Sequence, residues 1–374
     1  MKNIKNIGIF SAGRSDLGML KGIINDLNNS KSARLKIILG PAHFAKIFGS
    51  TFRELKELKN KNIKKIKFDL KNSSDKEILY YMSKIILNLK DQDYFRKLDA
   101  LVLLGDRYET FILSLVALVF KIKIIHLCGG SETEGSIDNI FRKFISECAF
   151  INLVETEKHK KNLLNIINKK KIFNIGSTGL ENTNNLLINK KEFERKYKIK
   201  FDNEKKIIIC VFHPETFKTK KKNIIYLQSI LKFLSYKNEN IIFTYPNADE
   251  GFKDYIKLIL LFKKLKKNCF IFKSLGIKNF HSLLSFSDLL IGNSSSGIIE
   301  SGSFKLPVLN VGDRQKGRVS GKNIIHCKFN FQSLQLAYQK AISNSFVKKI
   351  KKIKNIYFKK NSSKKAVKII LKYI

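Results

Sequence analysis

The stretch from Leu290 to Arg318 contains the residues whose types and spacing best suit the binding of an anion. A short apolar run ends at Ile291 and predicts a buried strand, a turn rich in glycine and serine follows, and a helix is predicted from Ile298. Such a turn binds anions because glycine lets the backbone approach a ligand, hydroxyls donate, and the first helical N–H groups have no partner. We therefore expect a diphosphate here, contacted by Ser294, Ser295, Ser296 and Gly297.

Two charged residues accompany this turn. Glu300 lies about one turn into the predicted helix, where its carboxylate can accept hydrogen bonds from ribose hydroxyls. Arg314, in the loop after the next predicted strand, would neutralise phosphate charge. A purely structural interpretation remains open for this segment alone, because Asn293 and the serines are also common helix caps.

Acidic residues suited to proton transfer follow two predicted strands in the first half of the chain. Asp106 comes directly after an apolar strand, and Glu132, Glu134 and Asp138 lie in a glycine-rich segment that begins at His126. Carboxylates in such loops are candidates for general acid and base, because binding and catalytic residues concentrate on loops held by a rigid scaffold. Two alternatives are structural: Asp106 pairs with Arg107, or Asp138 is only a helix cap.

Three more residues complete the candidate set. Arg14 lies in the loop after the first predicted strand, a position suited to a phosphate, although a plain surface arginine is the alternative. His213 follows the first strand of the second half, where it stabilises a diphosphate, relays a proton or is simply a buried structural histidine. Asn247 follows the next strand and is a candidate substrate contact. The first loop lacks the GxGxxG dinucleotide pattern, so NAD is not predicted.

Short apolar runs alternate with helical stretches along most of the chain, which predicts an α/β fold with doubly wound parallel sheets. Ligands bind beyond the carboxyl ends of the strands in such sheets, and the candidate residues fall there. The strands are predicted at 4–10, 34–40, 100–104, 123–126, 151–154, 172–175, 206–212, 240–245, 288–291 and 306–311. Helices are predicted at 17–27, 42–57, 75–97 and 110–120, and within 347–374.

The length of 374 residues exceeds one ordinary core and predicts two domains. A polar segment rich in lysine and asparagine, from about residue 182 to 206, suits the crossing between them. We expect an N-terminal Rossmann-like domain at 1–182 with the catalytic carboxylates, and a nucleotide-binding Rossmann-like domain at 183–350. Residues 351–374 are expected to form a helix that packs back on the first domain.

The formal net charge of +41 raises the question of nucleic-acid binding. The lysines are spread over the whole chain together with asparagine and isoleucine, a distribution typical of an AT-rich genome rather than of a binding surface. Arginine, which is preferred for base and phosphate recognition, is sparse and lies mainly in the motifs. We therefore expect no nucleic-acid partner, apart from adventitious binding at low salt.

Cysteine usage and the N-terminus bear on location. The five cysteines show no CxxC pair, which predicts reduced thiols and argues against a structural zinc site. No run approaches the roughly 18 apolar residues of a membrane helix, and the N-terminus lacks the apolar region of a signal peptide. A cytoplasmic protein with no membrane partner is expected.

Seven short motifs follow one another along the chain: Gly13 to Gly18, Leu104 to Glu109, His126 to Asp138, Phe173 to Ser177, Phe212 to Thr216, Gly292 to Glu300 and Gly312 to Arg318. With these motifs in this order, the chain resembles the hydrolysing UDP-N-acetylglucosamine 2-epimerases of sialic acid and legionaminic acid synthesis. The resemblance runs almost end to end, and its strength lies in the order of the motifs, since several are weak singly.

The resemblance implies a GT-B architecture, in which two Rossmann-like domains face each other across a cleft and the second holds most of the nucleotide. It implies release of UDP and N-acetylmannosamine through a 2-acetamidoglucal, without cofactor or metal. Relatives suggest a homo-oligomer. By position, Asp106 and Asp138, with Glu132 or Glu134, would be the catalytic carboxylates, and His213 would lie opposite them.

One departure concerns the suspected catalytic glutamate of the family. The family motif His-x-x-Gly-Gly-Glu is here His126 to Ser131, and the first acidic residue comes one place later, as Glu132. Either Glu132 or Glu134 takes over the role, or the chemistry is altered. The sequence does not choose between them, because adjacent loop residues need not point the same way.

Other functions share parts of this pattern. The same reaction on a UDP-linked 2,4-diacetamido-2,4,6-trideoxy sugar fits the motifs equally, because the residues that contact C4 and C6 are not located. A non-hydrolysing epimerase or a glycosyltransferase would share the fold without the chemistry. A sugar-nucleotide binder without turnover is the alternative from another class, and Ser131 makes it worth testing.

Overall fold

The computed structural model describes residues 4–44, 62–70, 74–134, 137–167, 171–181, 187–215, 217–246 and 251–374. The chain folds as two compact units. The first comprises Met1–Ser131, Asp138–Glu181 and Tyr357–Ile374, and the second comprises Glu132–Ile137 and Asn182–Ile356. The short segment from Glu132 to Ile137 therefore belongs to the second unit, although the chain on both sides of it belongs to the first.

The first unit is built on a parallel sheet of seven strands in the order β3-β2-β1-β4-β5-β6-β7. This order places the carboxyl ends of β1, β4 and β5 side by side at one edge. The strands are β1 (Lys5–Ser11), β2 (Ala33–Leu39), β3 (Ile63–Lys65), β4 (Ala100–Leu104), β5 (Lys123–Leu127), β6 (Ile151–Val154) and β7 (Ile172–Asn174).

The second unit contains a parallel sheet of six strands in the order β10-β9-β8-β11-β12-β13. The loops after β8, β11 and β12 meet at its carboxyl edge. The strands are β8 (Ile207–Val211), β9 (Asn240–Thr244), β10 (Cys269–Phe272), β11 (Leu289–Gly292), β12 (Val308–Val311) and β13 (Ile324–Cys327).

Helices connect the parallel strands in both units, as parallel pairing requires. The described helices of the first unit are α1 (Arg14–Asn28), α2 (Asp75–Leu89), α3 (Asp93–Arg96), α4 (Tyr108–Val119), α5 (Asp138–Cys148), α6 (Glu157–Leu164) and, at the C-terminus, α14 (Ser362–Tyr373). Those of the second unit are α7 (Lys190–Tyr197), α8 (Lys220–Ser235), α9 (Phe252–Leu265), α10 (Gly276–Phe286), α11 (Ser295–Ile299), α12 (Phe331–Ile342) and α13 (Asn344–Lys351).

Each sheet is covered on both faces, which explains the continuous apolar runs in its central strands. All five residues of β4 and of β8 are buried. In the first unit one face packs against α1 and α14, and the other against α2 and α4. In the second unit α8, α9 and α12 cover one face, and α7 and α10 cover the other.

The structure differs from the predicted elements in two places, and a third prediction lies mostly outside the described residues. The helix predicted over 75–97 is broken at Lys90–Gln92 into α2 and α3, because apolar periodicity continues across the turn. The strands β3, β10 and β13 were missed; each is only three or four residues long and lies at a sheet edge. Most of the helix predicted over 42–57 lies outside the described residues; its start is a short 3₁₀ helix at Pro41–His43.

The C-terminal segment returns to the first unit. Helix α14 buries Ala366, Val367 and Ile370 in the cluster that α1 and β1 also form. Just before α14, the Ser177 N–H donates to the Tyr357 carbonyl at 2.8 Å. The predicted single helical stretch over 347–374 is instead two helices, α13 in the second unit and α14 in the first.

None of the five cysteines, all within the described residues, forms a disulfide, and Cys210 and Cys269 are buried. Among the residues described, no helix combines the length and the apolar character needed to span a bilayer.

Candidate active site

Asp106 lies at the carboxyl end of β4 and forms an ion pair with Arg142, a residue 36 positions further along the chain in α5. The Arg142 side chain is 4% exposed and the Asp106 side chain 21% exposed. The same guanidinium donates to the Ser131 carbonyl at 2.7 Å. Arg142 therefore joins the end of β4 to the glycine-rich segment and holds a carboxylate at the edge where ligands bind.

The alternative interpretation of Asp106, an ion pair with Arg107, is wrong. Arg107 instead donates to Glu109 from Nε at 3.1 Å and from Nη2 at 3.0 Å. The Glu109 side chain is buried, and the paired carboxylate raises the pKa of Arg107. A buried charge needs its partner, so Arg107 and Glu109 form a structural pair and leave Asp106 to Arg142.

His126 lies at the start of the glycine-rich segment, but its ring is buried in the first unit and hydrogen-bonded there. Its Nε2 lies 2.8 Å from the Gly105 carbonyl and its Nδ1 lies 2.9 Å from the Ser146 hydroxyl. A carbonyl only accepts, so Nε2 donates and Nδ1 of the neutral ring accepts from the hydroxyl. Burial lowers the pKa of His126 to about 4, so this ring is a positioning element.

Two of the buried histidines of the first unit, His43 and His126, should make stability depend on pH. Burial lowers the pKa of both His43 and His126 from 6.5 to about 4, so the unfolded chain binds more protons between these values. Stability should therefore be full above about pH 6.5 and fall towards pH 4, by about 1.4 kcal/mol per pH unit for each histidine. Urea unfolding at several pH values measures this slope.

The variant His43→Gln isolates one of these contributions. The His43 ring lies 2.9 Å from the Ser11 hydroxyl, a contact that an amide can also make. The slope between pH 6.5 and 4 should become shallower by up to about 1.4 kcal/mol per pH unit. An unchanged slope would show that His43 does not contribute.

The segment that contains Glu132 and Glu134 packs on the loop between Gly312 and Arg318. The Glu134 N–H donates to the Lys316 carbonyl at 2.9 Å, and the Glu134 carboxylate lies 2.9 Å from Lys316 Nζ. A Cβ atom on Gly317 would lie 3.4 Å from the Glu132 Cβ. Glu132 is half-buried here, whereas the Glu134 side chain is 53% exposed.

Asn293 connects three loops at the carboxyl edge of the second sheet. Its side chain accepts from the His213 N–H and donates to the His213 carbonyl, both at 2.8 Å. Its own carbonyl accepts from Gln315 Nε2 at 2.9 Å and from Arg314 Nη1 at 3.4 Å. The loops after β8, β11 and β12 are thereby held together, with the buried His213 ring and the Arg314 guanidinium next to the serine turn.

The Glu215 carboxylate accepts hydrogen bonds from the backbone of the loop after β12. Its Oε1 accepts from the N–H groups of Asp313 at 3.0 Å and Arg314 at 3.2 Å. Burial raises the pKa of Glu215, and these two N–H donors oppose that shift. Gly312 has a φ of +80°, and a Cβ there would overlap the Phe329 ring and approach Glu215 Oε1 at 2.5 Å. The turn therefore requires glycine both for its backbone conformation and for space.

Replacement of Gly312 by alanine should destabilise the protein by about 3 kcal/mol, the cost of a left-handed alanine plus a steric overlap. Gly251 supplies the matched control, because its φ is +82° but a Cβ there would meet no atom of the described residues within 4 Å. Gly251→Ala should cost only about 1–2 kcal/mol. Urea unfolding of both variants measures the difference, and equal losses would show that the space around Gly312 does not matter.

The serine turn forms a helix earlier than predicted. Helix α11 begins at Ser295 and not at Ile298, because the Ser294 hydroxyl caps it by accepting from the Ser296 N–H at 3.4 Å. The Ser296 hydroxyl donates to the Ser294 hydroxyl at 2.9 Å. Gly297 is buried between Leu290 and Val308. The helix is only five residues long, so its dipole is small. The serine hydroxyls and Arg314 would therefore contribute more to the attraction of an anion than the helix dipole would.

Glu300 follows α11 and is paired with a histidine that the sequence did not suggest. Its Oε2 lies 2.8 Å from His281 Nε2, and the carboxylate is 25% exposed. His281 comes from α10 and is buried. This contact orients Glu300 while leaving part of its carboxylate open to a ligand.

Three predicted residues remain: Asp138, Arg14 and Asn247. Asp138 is the first residue of α5 and half-buried. Arg14 begins α1 at the carboxyl end of β1, but its side chain lies outside the described residues, as does Asn247 entirely. Sequence reasoning missed Gln315, Glu215 and His281 as parts of the site. For Gln315 and Glu215, the only indication in the sequence was that each lies within one of the seven motifs.

Comparison with known proteins indicates the family of the chain. A family model described as UDP-N-acetylglucosamine 2-epimerase matches residues 25–371. The chain is 35% identical over 347 residues to the GDP/UDP-N,N'-diacetylbacillosamine 2-epimerase (hydrolyzing) of Campylobacter jejuni, with 91% of this chain and 88% of that protein covered. It is 32% identical over 381 residues to the polysialic acid biosynthesis protein P7 of Escherichia coli, with 99% and 95% covered.

A solved structure extends the comparison to the fold. The crystal structure of UDP-GlcNAc 2-epimerase from Neisseria meningitidis bound to UDP-GlcNAc superposes with a TM-score of 0.83 at 21% identity. The match covers 99% of this chain and 100% of that chain. The fold, with its two Rossmann-like units, is therefore of GT-B type, as the resemblance implied.

Proposed function

The chain belongs to the UDP-N-acetylglucosamine 2-epimerase family, and we propose that it is a hydrolysing member that converts UDP-N-acetylglucosamine to UDP and N-acetylmannosamine. One observation carries the proposal: the segment with Glu132 and Glu134 packs on the loop whose Arg314 lies next to the serine turn. Carboxylates for proton transfer and groups for diphosphate binding are thereby assembled around one loop.

The chemistry requires both sets of groups. The C2 proton has no neighbouring carbonyl, so its removal must be coupled to the departure of UDP from C1. A base takes the proton, a C1–C2 double bond forms, the C1–O bond breaks, and its electrons leave on the diphosphate. The product of this step is a 2-acetamidoglucal, and water then adds its oxygen to C1 while a proton returns to the opposite face of C2.

For the proton transfers we assign Asp106, Asp138 and Glu132. The Arg142 guanidinium holds Asp106 in position and balances its charge. Glu132 is preferred over Glu134 because Glu134 is engaged with Lys316 at the surface, whereas Glu132 is half-buried. General acid and base groups each contribute about 10²–10⁴-fold to such a reaction.

For the leaving group we assign Ser294, Ser295, Ser296, Gly297 and Arg314, with Arg14 and His213. Fixed donors that face the developing diphosphate charge need no reorganisation during the reaction, which makes them the larger electrostatic contribution. The Asn293 contacts hold the His213 backbone and Arg314 in one arrangement. Glu300, oriented by His281, would accept hydrogen bonds from the ribose hydroxyls, and Asn247 is a further candidate contact.

A second substrate is favoured by a specific observation. The relative from Campylobacter jejuni carries a name that specifies N,N'-diacetylbacillosamine. We therefore keep a UDP-linked 2,4-diacetamido-2,4,6-trideoxy sugar as the alternative substrate of the same reaction, within sialic-type acid synthesis.

Proton NMR in D₂O tests the proposal. The protein is incubated at high salt, because of its net charge of +41, with each UDP-sugar in turn. Release of UDP together with the free 2-epimeric sugar, deuterated at C2, is expected for the true substrate. A UDP-linked epimer would indicate a non-hydrolysing enzyme. If both UDP-sugars stay intact while UDP still raises the unfolding temperature, the chain is a binder without turnover.

A further inference from the structure

We propose that the amino-terminal edge of the first sheet carries a second binding site, for a small organic anion with an apolar body. A hollow of about 480 Å³ opens there at the start of β5, β6 and β7. Its lining includes Leu118, Cys148, Phe150, Lys121, Lys123 and Lys171. This volume accommodates a small molecule, since ligand sites commonly measure about 300–1,000 Å³.

The hollow is distinct from the candidate active site. Lys123 is the first residue of β5, and Phe150 and Lys171 directly precede β6 and β7. Asp106 and the glycine-rich segment, in contrast, follow the carboxyl ends of β4 and β5. Because all these strands are parallel, the two sites lie at opposite edges of one sheet.

The walls of the hollow favour an apolar body. The Phe150 ring and the Cys148 thiol are half-buried, and Leu118 is 42% exposed. Ile122 and Ile124 line the hollow and are themselves buried. Covering this lining removes apolar surface from water, which contributes to affinity in proportion to the area covered.

The charges in the hollow favour an anion. None of its lining residues is acidic, and no ion pair of Lys121, Lys123 or Lys171 occurs within the described part of the chain. Lys171 Nζ lies 3.5 Å and Lys123 Nζ lies 4.7 Å from the centre of the Phe150 ring. The two ammonium groups cannot be further apart than the sum of these distances, roughly 8 Å, which is within the range of electrostatic repulsion at physiological salt.

A bound anion removes this repulsion while its apolar body covers the Phe150 ring. The ring already attracts both ammonium groups through its π-face, so charge and apolar surface converge on the same point. The chemical class is therefore a carboxylate, sulfonate or phosphate joined to a ring or short acyl group.

The absence of tryptophan from the sequence allows a direct test. Phe150→Trp places a single fluorescent reporter in the hollow, and the probe is 8-anilinonaphthalene-1-sulfonate, which accepts energy from tryptophan. Titration at about 0.3 M salt, where the Debye length is short, suppresses binding to scattered lysines. Saturable transfer with one probe per chain is expected, and transfer that does not saturate would overturn the proposal.

Charge removal separates this hollow from the rest of the surface. Adding Lys123→Gln and Lys171→Gln to the reporter variant should weaken probe binding about tenfold. The matched control adds Lys232→Gln and Lys253→Gln, which remove the same charge from exposed positions of the second unit and should leave affinity unchanged. Equal affinity in the two triple variants, or displacement of the probe by UDP, would contradict a separate site.

Alkylation of Cys148 gives an independent measurement on the natural sequence. The thiol lines the hollow and is half-buried, so bound probe should slow its modification several-fold. Mass spectrometry of the modified peptides identifies the site, and Cys327 in the second unit is the internal control. If saturating probe leaves the rate of Cys148 alkylation unchanged, the probe binds elsewhere.

Discussion

Replacement of Asp106 by asparagine is expected to lower turnover by about 10²–10⁴-fold, the range that a positioned general acid or base contributes. The amide keeps the size of the side chain but cannot accept and release a proton as a carboxylate does. UDP affinity should change by less than about threefold, because the proposed diphosphate contacts other than Arg14 lie in the second unit. The measurement is UDP release from the substrate identified by NMR, together with UDP binding by calorimetry.

The buried Arg142 makes a structural control necessary. The asparagine removes the carboxylate that pairs with this buried guanidinium, and loss of one partner of a buried ion pair destabilises folded proteins. Asp99→Asn is the matched variant: Asp99 lies at the other end of β4, and its carboxylate accepts from the Asn6 N–H at 2.7 Å. It should lower stability without lowering turnover. If Asp106→Asn retains turnover within threefold of the natural protein, Asp106 is not a catalytic residue.

Glu132→Gln is the second substitution with a large expected effect, a loss of about 10²-fold or more in turnover. The reason is that Glu132 is half-buried, on the segment that packs against the loop that contains Arg314. A neutral amide at this position removes the proposed substitute for the glutamate that Ser131 replaces in the motif. Steady-state release of UDP measures the loss, and an unchanged unfolding temperature shows that the fold is intact.

Glu134→Gln is its matched control, two residues away on the same segment. The Glu134 carboxylate forms an exposed ion pair with Lys316, and exposed pairs contribute only about 0–1 kcal/mol. Turnover should therefore stay within about threefold. The reverse pattern would assign the role to Glu134, and full activity in both variants would show that this segment supplies no catalytic carboxylate.

Much of the candidate site could be found without a structure, because its residues follow apolar strands. Asp106 after β4, His213 after β8 and the serine turn after β11 all occupy the carboxyl ends of parallel strands. Such strands are buried on both faces, so their apolar runs are easy to recognise, and ligand-binding loops follow them as a rule. The motif order then indicated the family that the family model and the relatives show.

The partners of these residues could not be found in the same way. Arg142 reaches Asp106 across 36 positions, and His281 reaches Glu300 across 19. Such pairs depend on which strand ends are neighbours and on how a helix is rotated in its packing, and neither is a property of a local pattern. The start of α11 was predicted wrongly because the helix cap at Ser294 outweighed the apolar signal at Ile298.

The sequence by itself determined the parallel α/β class, the order of the motifs and the chemistry they suit, because these follow from residue type and from periodicities of a few residues. Only the tertiary structure decided that Glu132 to Ile137 leaves the first unit for the second, and that Glu134 is paired with Lys316 at the surface while Glu132 is half-buried. The physical reason is that a short polar loop has no apolar pattern of its own. Its position is set by the backbone hydrogen bond and the ion pair between Glu134 and Lys316, two residues far apart in the sequence that only folding brings within reach.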